Sequence, residues 1–385
     1  MAGTTTNFAI PYPSVTDYVT NGATDMRLLA EKVDAVMSSG TPARNLLING
    51  AMQINQRSAS TAGITTSGYY TADRWKYAIS SFGTWTQSVE NDAPTGSGFR
   101  KSIKYLCTTT DASPAAGDLA IHHQIIEGQN LQAIRKGTAS AQQVTISFWV
   151  KSNKTGTYIL DFYDEDNARS CSKSYSILVA STWEYKSLTF PADTVGIFEN
   201  DANSSAHIRW WLGAGSSYQT APLQTTWGAA GASVAAGQVN LADTVNNAWQ
   251  MTGAQLTVGS VSVPFEFKSF ADDLRECLRY FWRHTSRTND ANITTALIYT
   301  GNLVLAPIFF PVPARSNAPT VTASSGAAME IVYGTGVLAS TAIAFGDSTN
   351  YTAQAAITIA GGIVGQAGLV RFSSSADYIQ MSDEL

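Results

Sequence analysis

The sequence is poor in charge, in histidine and in cysteine, and each shortage excludes something. Only 14% of the 385 residues are charged, and 24 Lys and Arg against 29 Asp and Glu leave a net charge of −5 with no block of like sign. A nucleic-acid or anionic-membrane partner is therefore not expected. The three cysteines, Cys107, Cys171 and Cys277, are odd in number and far apart with no C-x-x-C. That argues against a disulfide framework or a zinc site and fits folding in a reducing cytosol. Four histidines leave little room for a metal or triad site, and no P-loop, dinucleotide fingerprint or G-x-S-x-G elbow occurs, so neither cofactor nor metal is expected. The start "MAGTTTNFAIPYPSV" lacks the basic and apolar regions of a secretion signal, and the most apolar stretch, "LVLAPIFFPVP", is broken by Pro307, Pro311 and Pro313; membrane insertion is not expected.

What remains is Gly, Ser, Thr, Ala and Asn with 10% aromatics, the profile of short strands joined by polar turns. Residues 1–44 read as an extended lead followed by a short helix. Thr24 is its cap, Met26, Leu29, Val33, Val36 and Met37 its apolar stripe, and Gly40 its stop. Such a stripe needs a partner, either a coiled coil with copies of itself or the next domain. From 45 to 267, segments such as "NLLINGAMQINQR", "ADRWKYAI", "GTWTQSVE", "LAIHHQII", "QVTISFWVKS", "TYILDFYDE" and "AHIRWWLGAG" read as about ten strands with hardly a helix, predicting a two-sheet antiparallel sandwich. Residues 268–287 contain a connector helix over 269–283, capped by Ser269 and Asp272. Its apolar face is Phe270, Leu274, Cys277, Leu278 and Phe281, and Arg275, Arg279 and Arg283 form a basic stripe. Residues 288–385 form a smaller β domain. Only Asp290, Arg315, Glu330, Asp347 and Arg371 carry charge between 288 and 376, so part of its surface is expected to be covered by identical neighbours.

Candidate chemistry is sparse. "DFYDEDNAR" gathers Asp161, Asp164, Glu165 and Asp166, but Asp164–Asn167 is a run of turn formers and reads as an exposed hairpin loop ahead of a paired-carboxylate site. His122 and His123 adjoin on one strand and point to opposite faces. In "IRWWLGAGSSYQTAPLQTTWGAAG", Trp210, Trp211, Tyr218 and Trp227 are the candidate ligand-binding residues. One indole of the pair enters the core and the other faces out to stack on a sugar; alternatively both cover sheet faces or meet another subunit. Trp75, Trp85, Trp149, Trp183 and Trp249 read as core, and "DRW" at 73–75 as a strand start pinned by a charge pair. No catalytic residue is assigned, and enzymatic activity is not expected.

Six blocks, "NLLINGAMQINQR", "YYTADRWKY", "QIIEGQNLQAI", "VTISFWVKSN", "VNNAWQMTGAQLTVGSVSVPFEFKSFADDLRECLRYFWR" and "IFFPVPARSNAPTVT", together resemble tail fibre and minor tail proteins of tailed phages and prophages across residues 45–325. The leader "TNFAIPYPSVTDYVTNGATDMRLLAEKVDAVM" resembles virion-attachment leaders of fibre proteins from phages of cyanobacteria and other aquatic bacteria. The resemblance implies a jelly-roll sandwich like those of carbohydrate-binding modules. It also implies a homotrimer anchored through residues 1–40 to tail, collar or capsid proteins, made in the host cytoplasm, with a host glycan or receptor as partner. A head or collar fibre, a capsid decoration protein and a glycan-degrading tailspike are the alternatives.

Overall fold

The computed structural model describes residues 44–286, 291–334 and 336–385, with residues 3–4, 11–12, 22, 24, 26–29 and 31 before them. The helix expected in residues 24–40 falls largely outside the described residues. The chain divides into two units, Met1–Lys268 and Ser269–Leu385.

In the first unit, alternating apolar and polar residues build two antiparallel sheets. Sheet A runs Gly228–Ala229, Arg169–Ile177, Gly156–Asp164, Ser204–Ala214, Leu119–Glu127, Lys76–Ser80 and Gly68–Tyr69. Sheet B runs Glu184–Phe190, Val144–Ser152, Ala248–Val258, Ser102–Thr109, Thr84–Glu90 and Ser60–Ile64. The chain passes from one sheet to the other repeatedly, as a jelly roll does, so sequence neighbours end up on facing sheets. Even-numbered residues of Gly156–Asp164 and Ser204–Ala214, including Tyr158, Leu160, Phe162, Ile208, Trp210 and Leu212, point into the core between the sheets. There Trp75 stacks on His122 at 4.7 Å and meets the edge of Trp210 at 5.7 Å.

One polar chain crosses this core and ends on His122, whose Nε2 has no hydrogen-bond partner among the described residues. Thr71 donates to Gln87 Oε1 at 2.7 Å, Gln87 Nε2 donates to Tyr105 Oη at 2.6 Å, and Tyr105 Oη lies 2.7 Å from His122 Nδ1. Since the Tyr105 hydroxyl accepts from Gln87, its proton points to His122, which makes Nδ1 an acceptor and the ring neutral. Burial drives the ring the same way, lowering the His122 pKa to about 3.

Two expectations need correction. "NLLINGAMQINQR" is not a strand: residues 45–57 form a buried coil, because Asn45 and Asn49 take the backbone groups that a sheet would otherwise pair. Trp149 and Trp183 are half-buried, not core, lying on the outer side of sheet B; Trp183 donates to Asp92 Oδ1 at 3.2 Å. The strand Arg169–Ile177 is the second arm of the hairpin expected around Asp164–Asn167: its serines face outward while Cys171, Tyr175 and Ile177 supply the inward alternation. In "DRW", Asp73 pairs with Arg57 at 3.5 Å and accepts from Gln56, whereas Arg74 donates to the Ile125 carbonyl at 2.7 Å.

The second unit opens with the helix Phe270–Leu278, shorter than expected. Ser269 caps it, accepting from Asp272 N at 3.2 Å and donating to Asp272 Oδ2 at 2.6 Å. Cys277 is buried as its spacing implied, but Phe270 is 60% exposed. After Leu278 the aromatic and β-branched run turns extended, and Phe281–Thr285 pairs with Tyr378–Ser382 beside Thr320–Ala323. Arg283 therefore leaves the expected helical stripe and hydrogen-bonds Gln380 across strands.

A seven-stranded antiparallel sheet C follows in the order Gly336–Ala339, Met329–Tyr333, Ala367–Phe372, Asn292–Thr300, Leu303–Phe309, Thr352–Thr358 and Ala342–Gly346. Its inner face carries Ile298, Val304, Ile308, Ile331, Val370 and Phe372. Its outer face is largely apolar too. Register places Ala367, Leu297, Leu305, Ala356 and Ala344 in one row across five strands. Leu297, Tyr299, Phe309, Val337 and Leu369 on that face are exposed, and its ion pair joins Glu330 to Arg371 at 2.8 Å.

Candidate functional site

The four aromatics singled out in the sequence do not make an open platform. Trp210 and Trp211 do point to opposite faces of sheet A, but both are buried, at 0% and 1% exposure. The excursion after Ala214 roofs this part of the outer face: Val234 and Ala235 pack with Trp211, and Tyr218 lies 5.2 Å from its ring. Trp227 is half-buried, donates to the Pro191 carbonyl at 2.7 Å, and has Phe162 and the Lys136 ammonium each 5.2 Å from its ring. The indole that faces outward is covered, not open to a sugar, so of the two readings of the pair the one in which both cover sheet faces describes it. Trp149–Tyr185 on sheet B is a half-exposed aromatic pair, but its rings are tilted 56° apart and share no flat surface.

Beyond the roof, the outer face of sheet A is polar and organised. Strand register aligns Lys76, His123, Arg209, Asp161 and Ser172 in one row across five strands. The neighbouring row sets Tyr163 beside His207. The Arg209 guanidinium lies 4.4 Å over the Tyr163 ring, donates through Nε to Asp161 Oδ2 at 2.6 Å, and pairs with the same carboxylate through Nη2. Ser172 Oγ lies 3.3 Å from the other oxygen and donates to the Val234 carbonyl at 2.8 Å. Asp161 is fully buried, and burial pushes its carboxyl up against the pull of Arg209.

His123 stacks on His207 at 5.5 Å and 29°. Burial, and then the neighbouring His207, hold His123 well below the ordinary imidazole range, so it is neutral at pH 7. Among the described residues neither of its ring nitrogens has a hydrogen-bond partner, and only 5% of the residue is exposed. His207 Nε2 lies 2.9 Å from Glu165 Oε2, and that hydrogen bond pulls Glu165 down to about 2. The half-exposed end of this face therefore presents Lys76, Arg209, His207, Glu165 and the Tyr163 ring from a rigid sheet. These are hydrogen-bond donors, acceptors and one aromatic ring.

The carboxylate cluster resolves differently from its reading as an exposed loop. The hairpin is there, between Gly156–Asp164 and Arg169–Ile177, but Asp164 is buried: it caps the turn by accepting from Asn167 N at 3.1 Å and pairs with Lys136 Nζ at 2.5 Å. Asp161 and Asp164, three residues apart, project to opposite faces of one strand, and each is tied to a cation. All three cysteines are buried and none is in a disulfide, and burial pushes Cys107 up to about 11 and Cys171 up to about 12. Among the described residues no cluster of three or more His, Cys, Asp or Glu is placed to hold a metal.

No protein-family model and no curated protein matches the chain. Among solved structures, the enzymatically active domain of bacteriophage CBA120 tailspike protein 4 aligns with 56% of this chain at 16% identity and a TM-score of 0.31. The match spans 21% of that tailspike chain, about a fifth of its length. TmCBM61 in complex with beta-1,4-galactotriose aligns over 56% of this chain and 99% of its own, at 10% identity and a TM-score of 0.29. The family 11 carbohydrate-binding module from Clostridium thermocellum aligns over 53% and 98%, at 8% identity and 0.28. Superpositions at these scores say nothing of ligand or role.

The outer-face residues were not anticipated as a group. Lys76, His123, Tyr163 and Arg209 lie on four separate strands, and only the register between those strands brings them into one patch.

Proposed function

We propose that the chain is a non-enzymatic structural appendage protein of a tailed-phage virion, anchored through its N-terminal segment, whose first unit binds host-surface glycan on the outer face of sheet A. The observation that carries the glycan reading is the five-strand polar row with Tyr163, His207 and Glu165 beside it and an unpartnered His123 beneath. The virion role rests on the resemblance to tail fibre and minor tail proteins. A mount on head or collar would use the same surface, and labelling the chain in electron micrographs of the virion separates the two. Titration with host envelope polysaccharide tests the binding itself. Tyr163→Ala and, separately, Glu165→Gln are each expected to weaken it about tenfold or more while leaving the melting transition near that of the wild type. Unchanged affinity in both variants would remove this face from the reading. Against the glycan-degrading alternative, the opposed and cation-bound Asp161 and Asp164 cannot flank one glycosidic bond.

Self-association of the second unit belongs to the same proposal. The outer face of sheet C measures roughly 34 Å across seven strands and about 17 Å along five residues, on the order of 500–600 Å². That is most of the ~800 Å² each partner gives to a stable interface. Its ion pair is internally neutral, so copies of this face meet without like-charge repulsion. Leu297→Glu combined with Leu305→Glu is expected to convert a trimer to monomer in sedimentation equilibrium. A wild-type chain already monomeric at micromolar concentration would overturn the proposal.

A further inference from the structure

Away from sheet A's outer face, the loops 128–142 and 191–203 enclose a cleft of about 260 Å³ in the first unit. Leu131 and Phe198 form its floor, Ile197 is an apolar wall at 64% exposure, and Arg135 and Thr138 stand at the rim. No carboxylate lines it. Lys136, beneath, is spoken for by Asp164 and Asp193, with Arg169 holding Asp193 from the far side, so these four charges cancel.

Arg135 is the charge left over. It is exposed, and its guanidinium makes no hydrogen bond or ion pair among the described residues. Its backbone sits in the left-handed region at φ 54°, an arrangement that costs a non-glycine residue of order 1 kcal/mol and that its neighbours hold in place. Arg135 N donates to Gln132 O at 3.1 Å, and Thr138 Oγ1 donates to the Arg135 carbonyl at 2.7 Å. Gln132 Nε2 in turn ties the two loops together through the carbonyls of Gly128, Phe198 and Glu199. The cleft is thus braced in its open form.

From an apolar floor and wall and one unpaired guanidinium on a fixed rim, we infer that this cleft is a second binding site, which takes a uronic-acid unit of an acidic polysaccharide. The C–H face of the sugar ring lies on Ile197 and Phe198, and the carboxylate takes the two parallel N–H groups of Arg135, a pairing that neutral sugars cannot make. A volume of this size suits one such unit.

The test is titration of the full chain with glucuronate, glucose and acetate, followed by chemical shifts of the Ile197 and Thr138 methyl groups. Glucuronate is expected to bind about tenfold or more tightly than either glucose or acetate. Arg135→Ala is expected to bring glucuronate down to the level of glucose, and Ile197→Ser to weaken it severalfold while leaving the affinity for acetate unchanged. Tyr163→Ala on the outer face of sheet A is expected to leave glucuronate binding as it was, which keeps failure here separate from failure of the glycan reading there. Acetate binding as tightly as glucuronate, an unaltered Arg135→Ala variant, or loss of glucuronate binding with Tyr163→Ala would each overturn the inference.

Discussion

Lys136→Met is expected to lower the stability of the first unit by about 3–5 kcal/mol, the usual cost of removing one partner from a buried ion network. The side chains of Lys136 and Asp164 are 1% and 0% exposed, and that of Asp193 is 5% exposed. The ammonium sits among four oxygens: Asp164 Oδ2 at 2.5 Å, Asp193 Oδ2 at 3.0 Å, and the carbonyls of Val195 and Gly196 at 2.8 and 2.9 Å. It also lies 5.3 Å from the Phe198 ring and 5.2 Å from that of Trp227. Methionine keeps the length of the chain and some of its packing, but it strands Asp164 without a countercharge. Asp193 keeps the two-point contact with Arg169, at 2.9 and 3.0 Å, so Asp164 bears most of the loss. The signature in chemical denaturation is a lowered midpoint with an unchanged slope. Adding Asp164→Asn to Lys136→Met is expected to recover part of the loss, and a double-mutant cycle reads the coupling. The pH dependence has a definite sign. Burial resists the charge on Asp193, but hydrogen bonds from Arg169 and Lys136 overcome it and hold the carboxyl below its ordinary value. Its stabilising contribution is therefore present above the unfolded carboxylate pKa of about 3.9 and is lost as pH falls through the lower folded value. The gap between wild type and Lys136→Met is expected to be widest near neutrality and to narrow below about pH 4. A gap independent of pH would mean that the lysine acts through packing alone.

This network also shows which parts of the molecule the sequence made readable. Period-two alternation is a local signal, so the strands Val144–Ser152, Gly156–Asp164 and Ser204–Ala214 could be anticipated, along with the opposite orientations of His122 and His123. The Ser269 cap was legible for the same reason, since donor and acceptor lie three residues apart. Asp164 was recognised as part of a turn but not as buried. Its cation, Lys136, lies 28 residues earlier in a loop, and no local pattern announces that meeting. The tryptophan pair is a related case. That its two indoles point to opposite faces was legible, but which of them faces out, and the roof over Trp211 from residues 215–240, whose Gly, Ala and Ser composition reads as open loop, was not. Arg283 shows a third cause: its helical spacing from Arg275 and Arg279 was real, but pairing with Tyr378–Ser382, almost a hundred residues on, outweighed local helix preference.

Asn49→Ala is expected to cost the first unit about 3–5 kcal/mol, although a run of β-forming residues around an Asn-Gly pair suggests that the position is a replaceable turn. The side chain is fully buried and acts in place of a strand partner. Its Oδ1 accepts from Ile54 N at 3.0 Å, while Nδ2 donates to the carbonyls of Ile54 at 2.8 Å and Asp73 at 3.0 Å. Its own carbonyl accepts from the Trp75 indole at 3.0 Å, which fixes the ring stacked on His122. Alanine leaves these three side-chain-bonded groups buried without that partner, at about 1–3 kcal/mol for each group that water cannot reach. It must also hold φ 56°, where asparagine is tolerated and alanine adds of order 1 kcal/mol. The two contributions can be separated. Asn49→Gly relieves the backbone term but loses the same hydrogen bonds, so it is expected to fall short of the wild type by most of the alanine deficit. Asn49→Asp keeps the acceptor toward Ile54 N and loses both donors, placing a carboxylate against two carbonyls, and is expected to be at least as damaging as alanine. Thermal melts of the three variants at neutral pH order them: glycine least affected, then alanine, then aspartate. If glycine matched the wild type, the residue would be present for its φ alone, and the coil from 45 to 57 would owe its shape to something other than this amide.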